Sequence, residues 1–147
     1  MITRRAFLAA AGAAAAAPAA LHATPVAMEE AVRKVTGGAS AAKGKVKLDV
    51  PMLIENGNSV VLSVSVDSPM SEADHVSAIH VFARDNPLPN MVSVYLGPRA
   101  GRARFTTRVR VTTSQTLLAV ARLSDGSFWS DSADVVVTLP ACGEDSK

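Results

Sequence analysis

The recurrence of apolar residues at every second position is the feature that most restricts the fold of this sequence. Residues 45–50 and 60–66 both carry apolar side chains at every second position. Successive side chains of a β-strand point to opposite faces, so each run predicts a strand with one buried face. Pro51 and Asp67-Ser68-Pro69 end the two runs, and Glu55-Asn56-Gly57-Asn58 between them is a turn signal.

Further β-like runs follow the first two at spacings of roughly 10 residues. They cover residues 76–83, 91–96, 103–111, 116–123, 128–129 and 134–139. Asp125-Gly126 favours a tight hairpin, because it tolerates the positive φ angles that such turns require. No helical pattern and no internal repeat interrupts the runs. They therefore predict an all-β fold, an immunoglobulin-like antiparallel β-sandwich of about seven strands over residues 45–139.

A short helix is predicted before the sandwich. Thr24-Pro25 is a helix start signal, and Gly37-Gly38 is a stop signal. Between them Met28, Ala31, Val32 and Val35 recur at three- and four-residue spacing and form one apolar stripe, which favours packing against the sandwich. Residues 24–44 are therefore interpreted as an N-terminal helix and linker.

The first 23 residues differ in composition from the rest of the chain. Arg4-Arg5 precedes an uncharged run rich in alanine, which is typical of a twin-arginine export signal. The alternative, a membrane anchor, is disfavoured because alanine and glycine supply little of the hydrophobicity that a spanning helix needs. Cleavage after Ala23 or after Ala19 would leave small residues at the cut. This segment predicts a periplasmic protein with no membrane attachment after cleavage.

Removal of that segment changes the charge of the protein. The chain has 15 basic and 13 acidic residues, and the loss of Arg4 and Arg5 leaves 13 of each. A formally neutral mature protein gives no support to binding of nucleic acid or of a membrane surface through net charge.

The single cysteine is the most distinctive reactive group. Cys142 has no internal partner for a disulfide, although the predicted compartment is oxidising. It lies in a polar tail, residues 140–147, which is interpreted as a flexible C-terminal arm with an exposed thiol. Glu144 and Asp145 disfavour the thiolate and Lys147 partly offsets them, so reaction of this thiol is expected to need a partner enzyme. An incidental cysteine, or one that forms an intermolecular disulfide, is the alternative.

Catalytic and metal-binding patterns are weak elsewhere. His75 and His80 could suggest a metal site with Met70 or Asp74, but residues five apart in a strand lie on opposite faces. We find no Ser-His-Asp arrangement and no glycine-rich phosphate loop. The sequence thus predicts a protein that is not an enzyme and has neither a metal site nor a cofactor of its own.

Arginines alternate with apolar residues along one of the predicted strands. The basic positions are Arg102, Arg104, Arg108 and Arg110, and the apolar positions between them are Ala103, Phe105, Val109 and Val111. Such a pattern makes one face of the strand basic while the other faces the core. A solvated face, a surface for an anionic partner, and a set of charges that opposes edge pairing are the three interpretations.

Several short segments carry a resemblance to a known family. They are Leu48-Asp49-Val50-Pro51, Glu55-Asn56-Gly57, Val66-Asp67-Ser68-Pro69-Met70, Ala78-Ile79-His80-Val81-Phe82-Ala83, Asn86-Pro87 and Ser124-Asp125-Gly126-Ser127. With the twin-arginine leader, Thr36-Gly37-Gly38 and the tail cysteine, their order and spacing resemble SoxY, the sulfur-carrier family of bacterial thiosulfate oxidation. The resemblance spans nearly the whole chain.

This resemblance implies a fold, a function and partners. It implies an immunoglobulin-like sandwich that forms a heterodimer with a SoxZ-like β protein. Cys142, flanked by Ala141 and Gly143 in the arm, would be the site of covalent sulfur attachment. A haem enzyme would join thiosulfate to Cys142, a dimanganese hydrolase would release sulfate, and a molybdenum-haem dehydrogenase would oxidise the remaining sulfur before a second hydrolysis.

The arm departs from the family pattern. The family has Gly-Gly-Cys-Gly-Gly close to the end of the chain, whereas this chain has Pro140-Ala141-Cys142-Gly143-Glu144, so that only Cys142 and Gly143 match. Proline and alanine are less permissive than glycine. The alternative function is therefore a noncatalytic interaction module whose cysteine forms an intermolecular disulfide.

Overall fold

The computed structural model describes residues 25–141. The predicted export signal, Cys142 and Gly143 lie outside these residues. Among the described helices, none is long and apolar enough to cross a membrane.

The described residues form one α-helix, a short 3-10 helix and nine strands. The helix α1 covers Pro25–Thr36, and the 3-10 helix covers Pro98–Ala100. The strands are β1 Ala41–Lys43, β2 Val46–Asp49, β3 Leu53–Ile54, β4 Val60–Val66, β5 Val76–Ala83, β6 Asn90–Tyr95, β7 Arg104–Val109, β8 Gln115–Leu123 and β9 Phe128–Val137. The predicted fold class, an immunoglobulin-like sandwich with a short N-terminal helix, is confirmed.

The strands form two sheets. One has six strands in the order β1-β9-β8-β5-β6, with β3 also paired to β9, and the other has the order β2-β4-β7. The main neighbours in both sheets are antiparallel. β1 and β3 pair with β9 in parallel, at opposite ends of that strand. Between these two pairings the chain enters the second sheet as β2, so this segment links the two layers.

Three details differ from the expectation. The two runs predicted at 128–129 and 134–139 belong to one strand, β9, which ends at Val137. The short strands β1 and β3 are additional to the predicted set, and residues 41–43 of the predicted linker form β1. These additions raise the count to nine strands among the described residues.

The main core lies between the two sheets. The largest fully buried side chains there are Leu62, Val64, Val76, Ile79, Val81, Val111 and Leu117. Their spacing follows the alternation seen in the sequence, since β4 buries every second residue. Burial of each such side chain contributes about 1.5–3 kcal/mol relative to exposure.

A second apolar cluster attaches α1 to the outer face of the six-stranded sheet. Phe82, Val120 and Phe128 form its buried centre. Met28, Ala31, Val32 and Val35 of α1 pack against them, so the stripe predicted from the sequence is confirmed. Gly37 and Gly38 follow the helix with positive φ angles, which end it as expected.

Candidate functional site

The last described residues of the chain are held against the sandwich. Leu139 O accepts a hydrogen bond of 2.8 Å from Gly57 N, and Ala141 N donates one of 3.4 Å to Val111 O. Ala141 is only 6% exposed, whereas Pro140 is exposed. We call residues 139–141 the arm root. The arm was predicted to begin at Pro140, but the chain stays in contact with the sandwich as far as Ala141.

Gly57 is the residue against which the arm root packs. A Cβ atom at this position would overlap Val111 O and would lie 2.8 Å from Ala141 N and 3.2 Å from Val137 Cγ1. Val111 N also donates a hydrogen bond of 2.8 Å to Gly57 O. Gly57 is not among the glycines with a positive φ angle. The space between the three chain segments is too small for a Cβ atom, so this position requires glycine.

A buried amide network fixes the segment that contains Val111. Asn86 Nδ2 donates to Arg110 O at 2.9 Å, and Asn86 Oδ1 accepts from Thr112 N at 3.1 Å. Gln115 Nε2 donates to the same Asn86 oxygen at 2.9 Å. Buried amides that satisfy backbone groups in this way make a loop rigid. The sequence marked Asn86-Pro87 as part of the family resemblance but did not reveal this role.

Cys142 follows the arm root directly. Ala141, the residue before it in the sequence, is buried. Of the three predicted site residues, only Ala141 is described, and its contacts place the start of the cysteine segment beside Val111.

The four arginines predicted on one strand face are all exposed. They are Arg102, Arg104, Arg108 and Arg110, and the apolar residues between them are buried or half-buried. β7 pairs only with β4 and is an edge strand of the three-stranded sheet. The ion pairs of the described residues, Lys34–Glu30 and Arg84–Asp85, include none of the four. No described carboxylate therefore neutralises them, and Arg108 Nη1 donates to the uncharged Ser59 Oγ at 3.3 Å.

The two histidines singled out in the sequence do not form a common site. His75 Nδ1 lies 3.1 Å from Ser71 O, whereas His80 is 5% exposed and its Nδ1 lies 2.7 Å from Ser93 Oγ. The His80 ring is T-shaped to Tyr95, at 5.9 Å between centroids. Residues 25–141 contain no group of three His, Cys, Asp or Glu side chains that could hold a metal ion.

Burial gives His80 a pH-dependent effect on stability. Desolvation lowers the pKa of His80 below its ordinary value of 6.5. The unfolded chain therefore binds a proton at this residue before the folded protein does, and the free energy of unfolding decreases as the pH falls below 6.5.

We predict that His80→Asn flattens this pH dependence, because asparagine retains a polar group near Ser93 but does not titrate. Urea unfolding at pH 7.5 and at about pH 5.5, one unit below the ordinary histidine value, measures the effect. The matched variant His75→Asn makes the same exchange of residue type outside the contacts of His80 and controls for the substitution itself. An unchanged pH dependence in His80→Asn would contradict the assignment.

The fold and the sequence together define a class of protein: an immunoglobulin-like β-sandwich in which the buried Ala141 directly precedes a single cysteine. The family model described as "Sulfur oxidation protein SoxY" matches residues 32–142, a range that ends at this cysteine. The chain belongs to the SoxY family of sulfur oxidation proteins. None of the curated proteins matches the chain.

Solved structures with the same fold include a member of this family. The sulfur carrier protein SoxY from Chlorobium limicola f thiosulfatophilum has a TM-score of 0.66 and 20% identity, covering 79% of this chain and 100% of that one. A superoxide reductase (neelaredoxin) from Ignicoccus hospitalis has a TM-score of 0.57 and 18% identity, covering 64% and 80% respectively. A superoxide reductase from Nanoarchaeum equitans has a TM-score of 0.55 and 7% identity, covering 65% and 100%. At these identities the likeness concerns the fold alone.

Proposed function

We propose that this protein is a periplasmic carrier that holds the sulfur intermediates of thiosulfate oxidation covalently on Cys142 and presents them to partner enzymes. The observation that carries the proposal is that the family match extends as far as Cys142, the residue that follows the anchored arm root. The printed description of the Chlorobium relative as a sulfur carrier protein supports the same role.

In the proposed chemistry this chain supplies one thiol, and partner enzymes catalyse each oxidation and hydrolysis step. Oxidative loading joins the Cys142 thiol to the terminal sulfur of thiosulfate, and releases one proton and two electrons that a partner haem enzyme accepts. Hydrolysis then adds water across the bond between the sulfane sulfur and the sulfonate, which releases sulfate and leaves a persulfide on Cys142. A partner dehydrogenase then accepts six electrons from the outer sulfur of the persulfide while three water molecules supply the oxygens of a new sulfonate and protons are released. A second hydrolysis cleaves the bond between the cysteine sulfur and this sulfonate, which releases sulfate and returns the thiol.

The negative charge of the tail indicates that a partner enzyme activates the Cys142 thiol. Thiolates are the reactive form of cysteine, and the carboxylates of Glu144 and Asp145 disfavour ionisation of a nearby thiol. Slow reaction of the free thiol is an advantage for a carrier, because the thiol then reacts mainly with the enzyme that activates it. No reaction centre on the carrier itself is needed, and the protein is proposed not to be an enzyme.

The arm root determines how a partner must approach. Ala141 is buried against Gly57 and Val111, so a partner that reaches Cys142 also meets this end of the sandwich. Tethering keeps each intermediate at a high effective concentration for the next enzyme. The proposed partners are therefore enzymes whose active sites lie near their surface, together with a SoxZ-like β protein as the second subunit of a heterodimer.

Location in the periplasm is part of the proposal. It rests on Arg4-Arg5 and the alanine-rich run of the first 23 residues.

Gene deletion tests the proposal at the level of the cell. In a strain in which this chain is the one SoxY-like carrier, deletion of its gene should stop thiosulfate consumption, and the wild-type gene should restore it. Consumption of thiosulfate at the wild-type rate in the deletion strain would rule out the carrier function.

A second candidate function is an interaction module in which Cys142 links two chains by a disulfide. The observation that favours it is the replacement of flexible glycines by Pro140 and the buried Ala141. Non-reducing electrophoresis of protein taken directly from cells separates the two functions. The module predicts a disulfide-linked dimer as the main species during growth on thiosulfate, whereas the carrier predicts a monomeric chain or a chain that bears a small sulfur adduct.

A further inference from the structure

The outer face of the three-stranded sheet carries a set of unneutralised arginines next to the arm root. We propose that this face is the docking surface for an acidic surface patch on the enzymes that load and unload Cys142. The inference rests on the proposed carrier function and adds to it the location and the charge of the contact.

The strand register assembles the basic residues on one surface. Lys47 of β2, Ser65 of β4 and Arg104 of β7 lie side by side across the sheet, and Arg108 pairs with Val61 further along. All these side chains point away from the core, because the residues between them are buried or half-buried. We call this surface, together with Arg102 just before β7 and Arg110 just after it, the basic face.

The acidic residues on this sheet do not form ion pairs with the arginines. Asp49 lies on β2, and the register separates it from Thr106 of β7 by Ser63. Ser63 Oγ and Thr106 Oγ1 bond to each other at 2.7 Å, so a neutral pair occupies the middle of the face. Asp67 follows β4 at the Arg102 end of the face, since Val66 N donates to Ala103 O at 2.8 Å, but the ion pairs of the described residues do not include Asp67.

The basic face leads directly to the cysteine segment. β7 ends at Val109, and Val111, two residues further, accepts the hydrogen bond from Ala141 N. Arg110 is thus adjacent in sequence to the residue that anchors the arm root. A partner that docks on this face places its own surface beside the start of the cysteine segment.

Arginine is suited to transient docking on carboxylates. Its planar guanidinium forms bidentate hydrogen bonds with a carboxylate. Exposed charges of one sign add little to stability, but they steer association and raise the rate of encounter with a surface of opposite sign. A carrier that visits several enzymes needs rapid encounter and rapid release, which a charged contact supplies. The same arginines also oppose strand addition at the β7 edge.

Charge reversal on the basic face tests the inference. The variant Arg104→Glu with Arg108→Glu places two carboxylates among the remaining cations Lys47, Arg102 and Arg110, and it keeps charged side chains on the edge strand. The matched control is Arg33→Glu with Arg122→Glu, which makes the same change in net charge at two exposed positions on α1 and β8. Thermal melting of both variants establishes that they fold.

The measurement is the rate at which Cys142 is loaded. Each purified protein is mixed with thiosulfate, oxidised cytochrome c and the periplasmic fraction of the deletion strain, which is grown on an organic substrate with thiosulfate present, and the adduct on the Cys142 peptide is followed by mass spectrometry. At low salt, we expect the face variant to load about tenfold more slowly than wild type and the control to load at the wild-type rate. At about 1 M salt, where the Debye length is about 3 Å, the difference should largely disappear.

Each other outcome overturns the inference. Equal slowing of both variants would show a net-charge effect, and faster loading of the face variant would show that the face holds the acidic tail of the chain itself. Loading of the face variant at the wild-type rate would refute docking while the carrier function stands. Absence of any adduct on wild type would refute the carrier function, and docking with it. Alkylation of Cys142 by iodoacetamide should proceed equally in all three proteins, which excludes a damaged thiol.

Discussion

Replacement of Cys142 by serine should abolish thiosulfate oxidation while the protein remains folded. A hydroxyl has the size of a thiol but forms no bond to sulfur under these conditions, so no intermediate can be carried. The fold should be retained because the described contacts of this end of the chain are made by residues up to Ala141. Thiosulfate consumption by a deletion strain that expresses Cys142→Ser measures the effect, and the expected rate is that of the deletion strain itself.

A relocated cysteine provides the control for this prediction. Tyr95 is 76% exposed and pairs with Ala78 near the start of β5, so Tyr95→Cys combined with Cys142→Ser keeps one exposed thiol on the sandwich but moves it away from the arm root. This variant should also fail to support thiosulfate oxidation. Restoration of the wild-type rate by the relocated thiol would show that the arm root has no part in the function.

Substitution of Gly57 by alanine should cause a large loss of stability. The added methyl group would overlap Val111 O and approach Ala141 N to 2.8 Å, and both atoms belong to the backbone. Backbone segments cannot move aside as a flexible side chain can, so we expect the free energy of unfolding to fall by about 3 kcal/mol. Equilibrium unfolding in urea measures this change.

Gly97→Ala is the matched control. Gly97 has a φ of −109° and a ψ of 170°, which any residue adopts, and a Cβ there would meet no atom within 4 Å. Its stability should stay within about 0.5 kcal/mol of wild type. Similar stability of the two variants would contradict the role assigned to Gly57.

We also expect Gly57→Ala to make the chain near Ala141 more sensitive to limited proteolysis, because the arm root loses its packing surface.

Periodicity predicted the central strands and the helix because their burial is local in sequence. β4 buries every second residue, and β5 covers the residues of the corresponding run, Val76–Ala83. The apolar stripe of α1 packs on Phe82, Val120 and Phe128, as its spacing implied. In these elements the pattern of one segment is enough to indicate both its conformation and its buried side.

Strand β9 was divided in the sequence interpretation because its middle is polar. Those polar residues have specific partners: Asp131 Oδ2 accepts from Leu48 N of β2, in the other sheet, at 2.9 Å, and Asp134 Oδ1 accepts from Thr116 Oγ1 of β8 at 2.6 Å. Hydrogen bonds with neighbouring strands allow the strand to continue through residues that no hydrophobic pattern would indicate. The strands β1 and β3 were not predicted because both are short and form by parallel pairing with β9, which is distant in sequence.

The cysteine could be singled out from the sequence, but the arm root could not. The count of cysteines and the compartment implied by the leader drew attention to Cys142. The contacts of Ala141 with Val111 and Gly57 join segments far apart in sequence through backbone atoms, which leave no trace in residue type. The Glu55-Asn56-Gly57-Asn58 segment indicated a turn correctly, but the need for glycine at position 57 arises from tertiary packing.

Mass spectrometry of the Cys142 peptide from cells fed thiosulfate with an isotopically labelled terminal sulfur tests the central claim most directly. The protein is isolated without reductant, and free thiols are blocked at the moment of lysis. We predict labelled sulfur on Cys142, present both with and without the sulfonate group and removed by reductant. Detection of the peptide with an unmodified thiol or a protein disulfide alone, while the cells actively consume thiosulfate, would contradict covalent carriage.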